Sequence, residues 1–291
     1  MKYEGIIIRP PSEARSLLLQ VTVGCSHNKC TFCGTYKGVR FRIKTDEEIR
    51  EDVFEAARRF PYLRRIFLCD GDALIIPQER LVKIFQMIRE NLPRVERIGL
   101  YGNAKSILRK TIDNLRELKE LGLGIVYLGV ETGNEEILAA IRKGVSYSQM
   151  VEAGRRVKEA GITLSITVLL GIGGKEKSVL HALDTARIIS DIDPDYCGAL
   201  TVMLIPGTPL YDDLVQGRFE LPDPFGYLQE LGIIISHINC TNCFFTSNHA
   251  SNYLPLRLRL PQDKEPAVAA IQQIIQNRDS RVLRPEFMRG L

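Results

Sequence analysis

The sequence predicts an α/β chain built on a parallel sheet, and three observations predict it. Short apolar runs alternate with stretches of helical periodicity from residue 17 to about residue 216. Six βα units in series imply parallel strands with helices outside them. A closed eight-unit barrel usually takes ~250 residues, more than this regular pattern covers. Beyond Gly217 the rhythm is broken by Pro222, Pro224, Pro255 and Pro261. The expected architecture is therefore a partial (β/α)6, TIM-like barrel left open, with a C-terminal extension covering its mouth.

The strand-like runs are Leu17–Val23, Arg65–Cys69, Arg97–Tyr101, Ile125–Val130, Ile162–Leu170 and Gly198–Leu204. Helical periodicity fills most of the gaps, at Asp46–Phe60, Gln78–Asn91, Lys110–Leu121, Ser148–Ala160 and Lys177–Ser190. Thr45 followed by Glu48 forms a capping-box pattern, and Pro77 stands where a helix can begin. Gly122 and Gly161 follow helices at stop positions. Residues 1–216 are expected to form the barrel core. Residues 217–291, with a polar stretch at 246–253 and a last helix at Lys264–Asn277, are expected to pack on its mouth. In parallel sheets of this kind the site lies at the carboxyl ends of the strands.

Composition excludes several classes. The chain is 45% hydrophobic and 25% charged, an ordinary globular balance. A net charge of +4, from 39 basic and 35 acidic residues, is too mild to imply nucleic acid or an anionic membrane as partner. No stretch approaches the ~20 apolar residues needed to span a bilayer. The first ten residues carry a three-residue apolar run ending at Arg9, which is not a signal-peptide pattern. A cytoplasmic protein is expected. Seven unevenly spaced cysteines do not make a disulfide scaffold, and in a reducing compartment clustered thiols more often hold metal.

The informative segment is Gly24-Cys25-Ser26-His27-Asn28-Lys29-Cys30-Thr31-Phe32-Cys33-Gly34, directly after the first strand. Three thiols within nine residues suit an iron–sulfur cluster or zinc, both of which take soft ligands. Zinc prefers four protein ligands, and His27 is available as a fourth. Zinc ribbons usually pair two CxxC knuckles, whereas one knuckle stands here beside a third thiol. Three cysteines leave one iron of a [4Fe–4S] cluster without a protein ligand, and that open corner favours chemistry over scaffolding.

This segment, and the order of motifs behind it over about residues 16–216, resembles the radical S-adenosylmethionine (SAM) superfamily. The spacing departs from the usual pattern, CxxxxCxxC in place of CxxxCxxC. The resemblance implies an oxygen-sensitive [4Fe–4S] cluster on Cys25, Cys30 and Cys33, with SAM bound at the open iron. One electron then splits the sulfonium and yields a 5′-deoxyadenosyl radical. It also implies an electron donor of flavodoxin- or ferredoxin-like kind, and that Phe32 packs near the adenine.

The other strand ends extend the resemblance. Asp70-Gly71-Asp72 looks like the family's Gly-Gly-Glu-like turn, so Gly71 and Asp72 are expected at the SAM ammonium, a charge-assisted pairing. Alone, the same residues read as an ordinary Asp-Gly turn. Glu131 matches a SAM-binding acid of the coproporphyrinogen-oxidase-like branch, and Arg142 resembles an arginine that approaches the SAM carboxylate there. Ser165, Thr167 and the glycine-rich turn beginning at Gly171 stand where the family borders adenine and ribose. Pro206-Gly207-Thr208-Pro209-Leu210 is similar to a run in that branch and in methylthiotransferase-like members. With 24 residues before Cys25, no upstream cobalamin or methylthiotransferase domain is expected.

The tail leaves alternatives open. Cys240 and Cys243 form a second CxxC near His237 and His249, able to hold an auxiliary metal, act as a redox pair, or simply pack. Asn248, His249, Asn252 and Tyr253 are expected to line a pocket for a substrate, small or macromolecular, that the sequence does not identify. The rival classes are a non-catalytic iron–sulfur electron carrier and a zinc-stabilised binding protein.

Overall fold

The structure, a computed structural model, describes residues 1–290. They form two compact units. The first comprises Met1–Asn28, Thr35–Leu128 and Ala153–Leu164; the second comprises Lys29–Gly34, Gly129–Glu152 and the chain from Ser165 onward.

In the first unit β1 (Leu17–Gln20) is followed by a small antiparallel ribbon, β2 (Thr22–Val23) with β3 (Arg42–Ile43). Then come α1 (Asp46–Arg59), β4 (Arg65–Cys69), α2 (Gln78–Asn91), β5 (Arg97–Tyr101), α3 (Ala104–Leu108), α4 (Ile112–Glu120) and β6 (Leu123–Glu131). β1, β4, β5 and β6 pair side by side, all parallel. The expected run Leu17–Val23 is divided in two. After Gln20 the Val21 amide bonds the Cys69 carbonyl, and Thr22 and Val23 turn away to meet Ile43 and Arg42. The capping box on α1 is present, with both Thr45–Glu48 hydrogen bonds made. Its Ile49, Val53 and Ala56 recur at helical spacing and are buried. Phe67, Tyr101 and Tyr127 pack edge to face on the sheet. The expected helix from Lys110 instead starts at Ile112, because Thr111 caps it reciprocally with Asn114.

In the second unit the elements are α5 (Glu135–Ala140), α6 (Tyr147–Glu159, continuing into the first unit), β7 (Thr163–Leu170), α7 (Ser178–Ile192), β8 (Tyr196–Thr201) and α8 (Pro209–Val215). α9 (Pro224–His237), β9 (Cys243–Thr246), β10 (Arg257–Leu260) and α10 (Lys264–Asn277) complete it. β7, β8 and β9 are parallel neighbours, and β10 closes an antiparallel hairpin on β9. Residues 217–290 are not set apart here. β9 lies in register beside β8 and α9 packs on α7, so this stretch shares a compact unit with the barrel strands β7 and β8. Pro224, read from sequence as a breaker, is the first residue of α9, where Asp223 caps the helix by accepting the Gly226 amide at 2.6 Å. The class is α/β with a mostly parallel sheet. Among the described residues no helix is long and apolar enough to cross a membrane.

Candidate cofactor site

The cysteine loop runs through both units, Cys25 in the first and Cys30 and Cys33 in the second. All three are half-buried, and none is in a disulfide. In the first unit Cys25 sits against the turn that follows β4. Gly24, with φ of 76°, brings the chain off β2 in a left-handed conformation that suits only glycine well. Gly71 faces the cysteine directly: a β-carbon added there would lie 3.1 Å from Cys25 Cβ and 2.9 Å from Tyr36 Cε2. Asp70 and Asp72 flank this contact. Asp70 accepts from Tyr36 Oη at 2.7 Å, from Gln20 Nε2 at 3.3 Å and from the Gly24 amide. Asp72 accepts from Ser26 Oγ and Ser106 Oγ, each at 2.6 Å, and from Asn103 Nδ2 at 2.7 Å and its amide at 3.2 Å.

Both carboxyls are buried, and burial pushes both pKa values up, Asp72 to about 6, against the pull of their hydrogen bonds. Sequence reasoning placed Asp72 at the ammonium of SAM. The structure turns its carboxylate inward, 0% exposed and held by four donors. Ser26, Tyr36, Asn103 and Ser106, which hold the two acids, were not singled out from sequence.

In the second unit the knuckle Cys30-Thr31-Phe32-Cys33 is strung between two elements. The Thr31 amide donates to the Ile141 carbonyl, and the Thr31 carbonyl accepts from the Leu210 amide. Phe32 packs against the apolar cluster of Ile137, Ile141, Leu169, Ile172, Val202 and Leu210. Ser165 and Thr167 share a face of β7 with Leu169, since strand side chains alternate, so all three point toward the side on which Phe32 packs. Gly34 lies against Ile205, where an added β-carbon would meet Cγ2 at 2.8 Å. A cleft of about 690 Å³ opens between Thr31 and the Ile172–Lys177 turn, with Lys175–Glu220 and Lys177–Glu136 ion pairs on its rim.

Glu131 ends β6 with φ of 68°, an uncommon conformation for a side-chain-bearing residue. Its carboxylate pairs at 2.6 Å with Lys143, and both side chains are largely buried. Gly129 makes room for the pair, because a β-carbon there would overlap the Glu131 carboxylate. Arg142, next to Lys143, is exposed and also left-handed at φ 54°. The turn after Glu131 is pinned to α7 by His181, whose Nε2 donates to the Leu169 carbonyl at 3.0 Å. Its Nδ1 then accepts from Thr132 Oγ1 at 2.8 Å, and full burial keeps the ring neutral, its pKa lowered to about 4. Gly171 needs both its positive φ of 78° and its missing side chain, since Tyr227 fills the space a β-carbon would take. Its amide donates to buried Glu230 at 2.6 Å.

The tail residues are tied within their own unit. Asn252 is buried; it accepts from Thr201 Oγ1 at 2.8 Å and donates to the Ala199 and Ser247 carbonyls, so it fastens the tail to β8. Tyr253 donates to Glu286 at 2.5 Å beneath the Arg289 guanidinium, His249 is half-buried against Ser251, and Asn248 is exposed. Cys240 and Cys243 are buried, hydrogen-bonded to each other and close to Cys197. Among the described residues, no three His, Cys, Asp or Glu side chains are gathered to hold a single metal ion.

A half-buried thiol loop follows the first strands of a parallel α/β sheet, with Gly71 packed against Cys25, and three such thiols suit an iron–sulfur cluster. Residues 19–186 match the model of the radical SAM superfamily. The chain belongs to that superfamily, and its cofactors are a [4Fe–4S] cluster and SAM. It is 24% identical over 164 residues to the heme chaperone HemW of Bacillus subtilis, covering 56% of this chain and 42% of that protein. The chain spans about half the length, or less, of the curated relatives it matches. Among solved structures, methylornithine synthase is similar with a TM-score of 0.51 and 19% identity, covering 90% of this chain and 81% of that one. The methyltransferase TsrM of Kitasatospora setae, solved with cobalamin and a [4Fe–4S] cluster, gives a TM-score of 0.58 at 17% identity, over 69% of this chain and 39% of that one. These two likenesses show a common fold.

Proposed function

We propose that this chain is a radical SAM enzyme whose [4Fe–4S] cluster is held by Cys25, Cys30 and Cys33 and which acts on a substrate still to be identified. The observation that carries the reading is the bedding of the cysteine loop: Cys25 lies on Gly71, and the Cys30–Cys33 knuckle is fixed by the two backbone bonds of Thr31. Each thiolate of a cubane binds its own iron, so the close gathering that a single zinc ion demands is not required. A [4Fe–4S] cluster on these cysteines would supply the electron for reductive cleavage of SAM to methionine and a 5′-deoxyadenosyl radical. The chain's part is to seat and shield the reactants. Phe32 supplies an apolar wall toward the adenine, while Ser165, Thr167 and the turn at Gly171 offer polar groups toward the nucleoside. Glu131 offers a carboxylate, and Gly71 a close backbone approach, toward SAM; Arg142 stands beside Lys143 on the carboxylate side. Asn248, His249 and Tyr253 remain candidates for substrate contact, in a cytoplasmic enzyme served by a flavodoxin- or ferredoxin-like donor.

Anaerobic reconstitution tests this reading. The protein should be brown with about four irons per chain, and Cys25→Ala, Cys30→Ala or Cys33→Ala should each abolish the cluster. A colourless protein with one zinc per chain would refute it. A stable cluster with no SAM binding would favour an electron carrier.

A further inference from the structure

The acids after β4 touch the residues on either side of Cys25. Asp70 accepts the amide of Gly24, and Asp72 accepts the hydroxyl of Ser26 at 2.6 Å. Each is itself anchored deeper, Asp70 by Tyr36 and Gln20, Asp72 by Ser106 and Asn103. Between them Gly71 presents no side chain to Cys25. The turn is thus a two-point grip on one cysteine of the loop.

We propose that Asp70 and Asp72 are positioning residues that set the orientation of the Cys25 thiol for the cluster, Asp72 acting through Ser26 and Asp70 through Gly24. The proposal rests on the assignment of Cys25 as a cluster ligand. The carboxylate of Asp72 is spent on this grip: its four donors come from the chain, and none of its surface is open to a ligand. Charged hydrogen bonds of this kind are among the stronger local restraints a loop can have.

The test follows the full chain, with and without iron. In the iron-free chain, alkylation by iodoacetamide is followed peptide by peptide at Cys25, Cys30 and Cys33. Asp72→Ala and Ser26→Ala should raise labelling of Cys25 alone, by roughly tenfold for loss of a hydrogen bond to a charged group, while Cys30 and Cys33 stay at the wild-type rate. After anaerobic reconstitution Asp72→Ala should hold less iron and give a broadened electron paramagnetic resonance signal on reduction. Asp72→Asn, which still accepts from Ser26, should recover most of both. Ser26→Ala removes one hydroxyl and guards against misfolding of the buried-acid variant. Equal labelling of all three cysteines across the variants would overturn the proposal. So would full iron with an unchanged signal but lost SAM affinity in Asp72→Ala, since Asp72 would then meet the ligand. Cys25→Ala separates the two levels: if it keeps four irons, the ligand assignment falls and this proposal with it. If it loses them, the Asp72 and Ser26 results decide the grip on their own.

Discussion

Gly71 lies against Cys25 so closely that a methyl group on it would come within 3.1 Å of the cysteine β-carbon. The same methyl would meet Tyr36 Cε2 at 2.9 Å, and Tyr36 is anchored through its phenol on Asp70. Neither neighbour is a flexible side-chain end. Gly71→Ala should therefore cost about 1–3 kcal/mol, as overpacking commonly does, and lower the iron retained on reconstitution. Denaturant unfolding and iron analysis check both. Wild-type stability together with four irons would mean that the turn yields without disturbing the loop.

The Glu131–Lys143 pair gives a second prediction. Lys143→Ala leaves a largely buried carboxylate without its partner, and such losses are worth several kcal/mol when burial is complete. With side chains 13% and 10% exposed, a cost of about 2 kcal/mol is expected. Glu131→Gln combined with Lys143→Met should recover most of it, because both charges are removed together. Double-mutant unfolding measurements check the coupling. Additive effects of the two pair variants would show that they do not support one another.

Much of this arrangement was legible in the sequence, and the reason is locality. The cysteine loop, the Asp70–Asp72 turn and Glu131 are short segments at strand ends, and the ends of β4 and β5 follow from apolar runs bounded by polar residues. The supports were not legible, because they are remote in the chain. Ser106 reaches Asp72 across 34 residues and His181 reaches Thr132 across 49, and neither carries a motif. α9 was hidden behind Pro222 and Pro224, read as breakers although proline is well suited to a helix's first turn. β9 and β10 have four residues each, too short for alternation to stand out. Asn252, whose amide suggested a pocket, uses it to hold the tail on β8.

Glu230 supplies a pH dependence. Burial raises its pKa from 4.5 to about 7, offset in part by Ser178 and the Gly171 amide. The folded state thus binds the proton more tightly than the unfolded state. The stability this contributes is present below pH 4.5 and is lost as pH rises through 7. Glu230→Gln keeps an oxygen for the Gly171 amide, while its NH2 can donate to Ser178, whose hydroxyl turns to accept. The variant should match wild type near pH 4 and exceed it by something on the order of 3 kcal/mol at pH 8. Unfolding of both chains across that range checks it. A difference that does not change with pH would mean that Glu230 titrates at its ordinary value in the folded chain.

The two buried thiols of the tail decide whether a second metal site exists. Cys240 and Cys243 bond each other, and Cys240 also donates to the Ile189 carbonyl at 3.7 Å. Asp193, at the left-handed end of α7, holds the segment between them through the Thr241 amide at 2.9 Å and hydroxyl at 2.7 Å. The hydrogen bond to Cys240 and burial push the Cys243 thiol far above its ordinary range, whereas a metal ligand must be a thiolate. The segment is therefore a packed link between α9 and β9, its two thiols buried and Thr241 tied to Asp193. Cys240→Ala with Cys243→Ala should leave iron and zinc per chain unchanged and cost about 1–3 kcal/mol from lost packing. Metal analysis of the anaerobically reconstituted variant is the measurement. Loss of about four irons with the first cluster intact would instead establish an auxiliary cluster on these two residues.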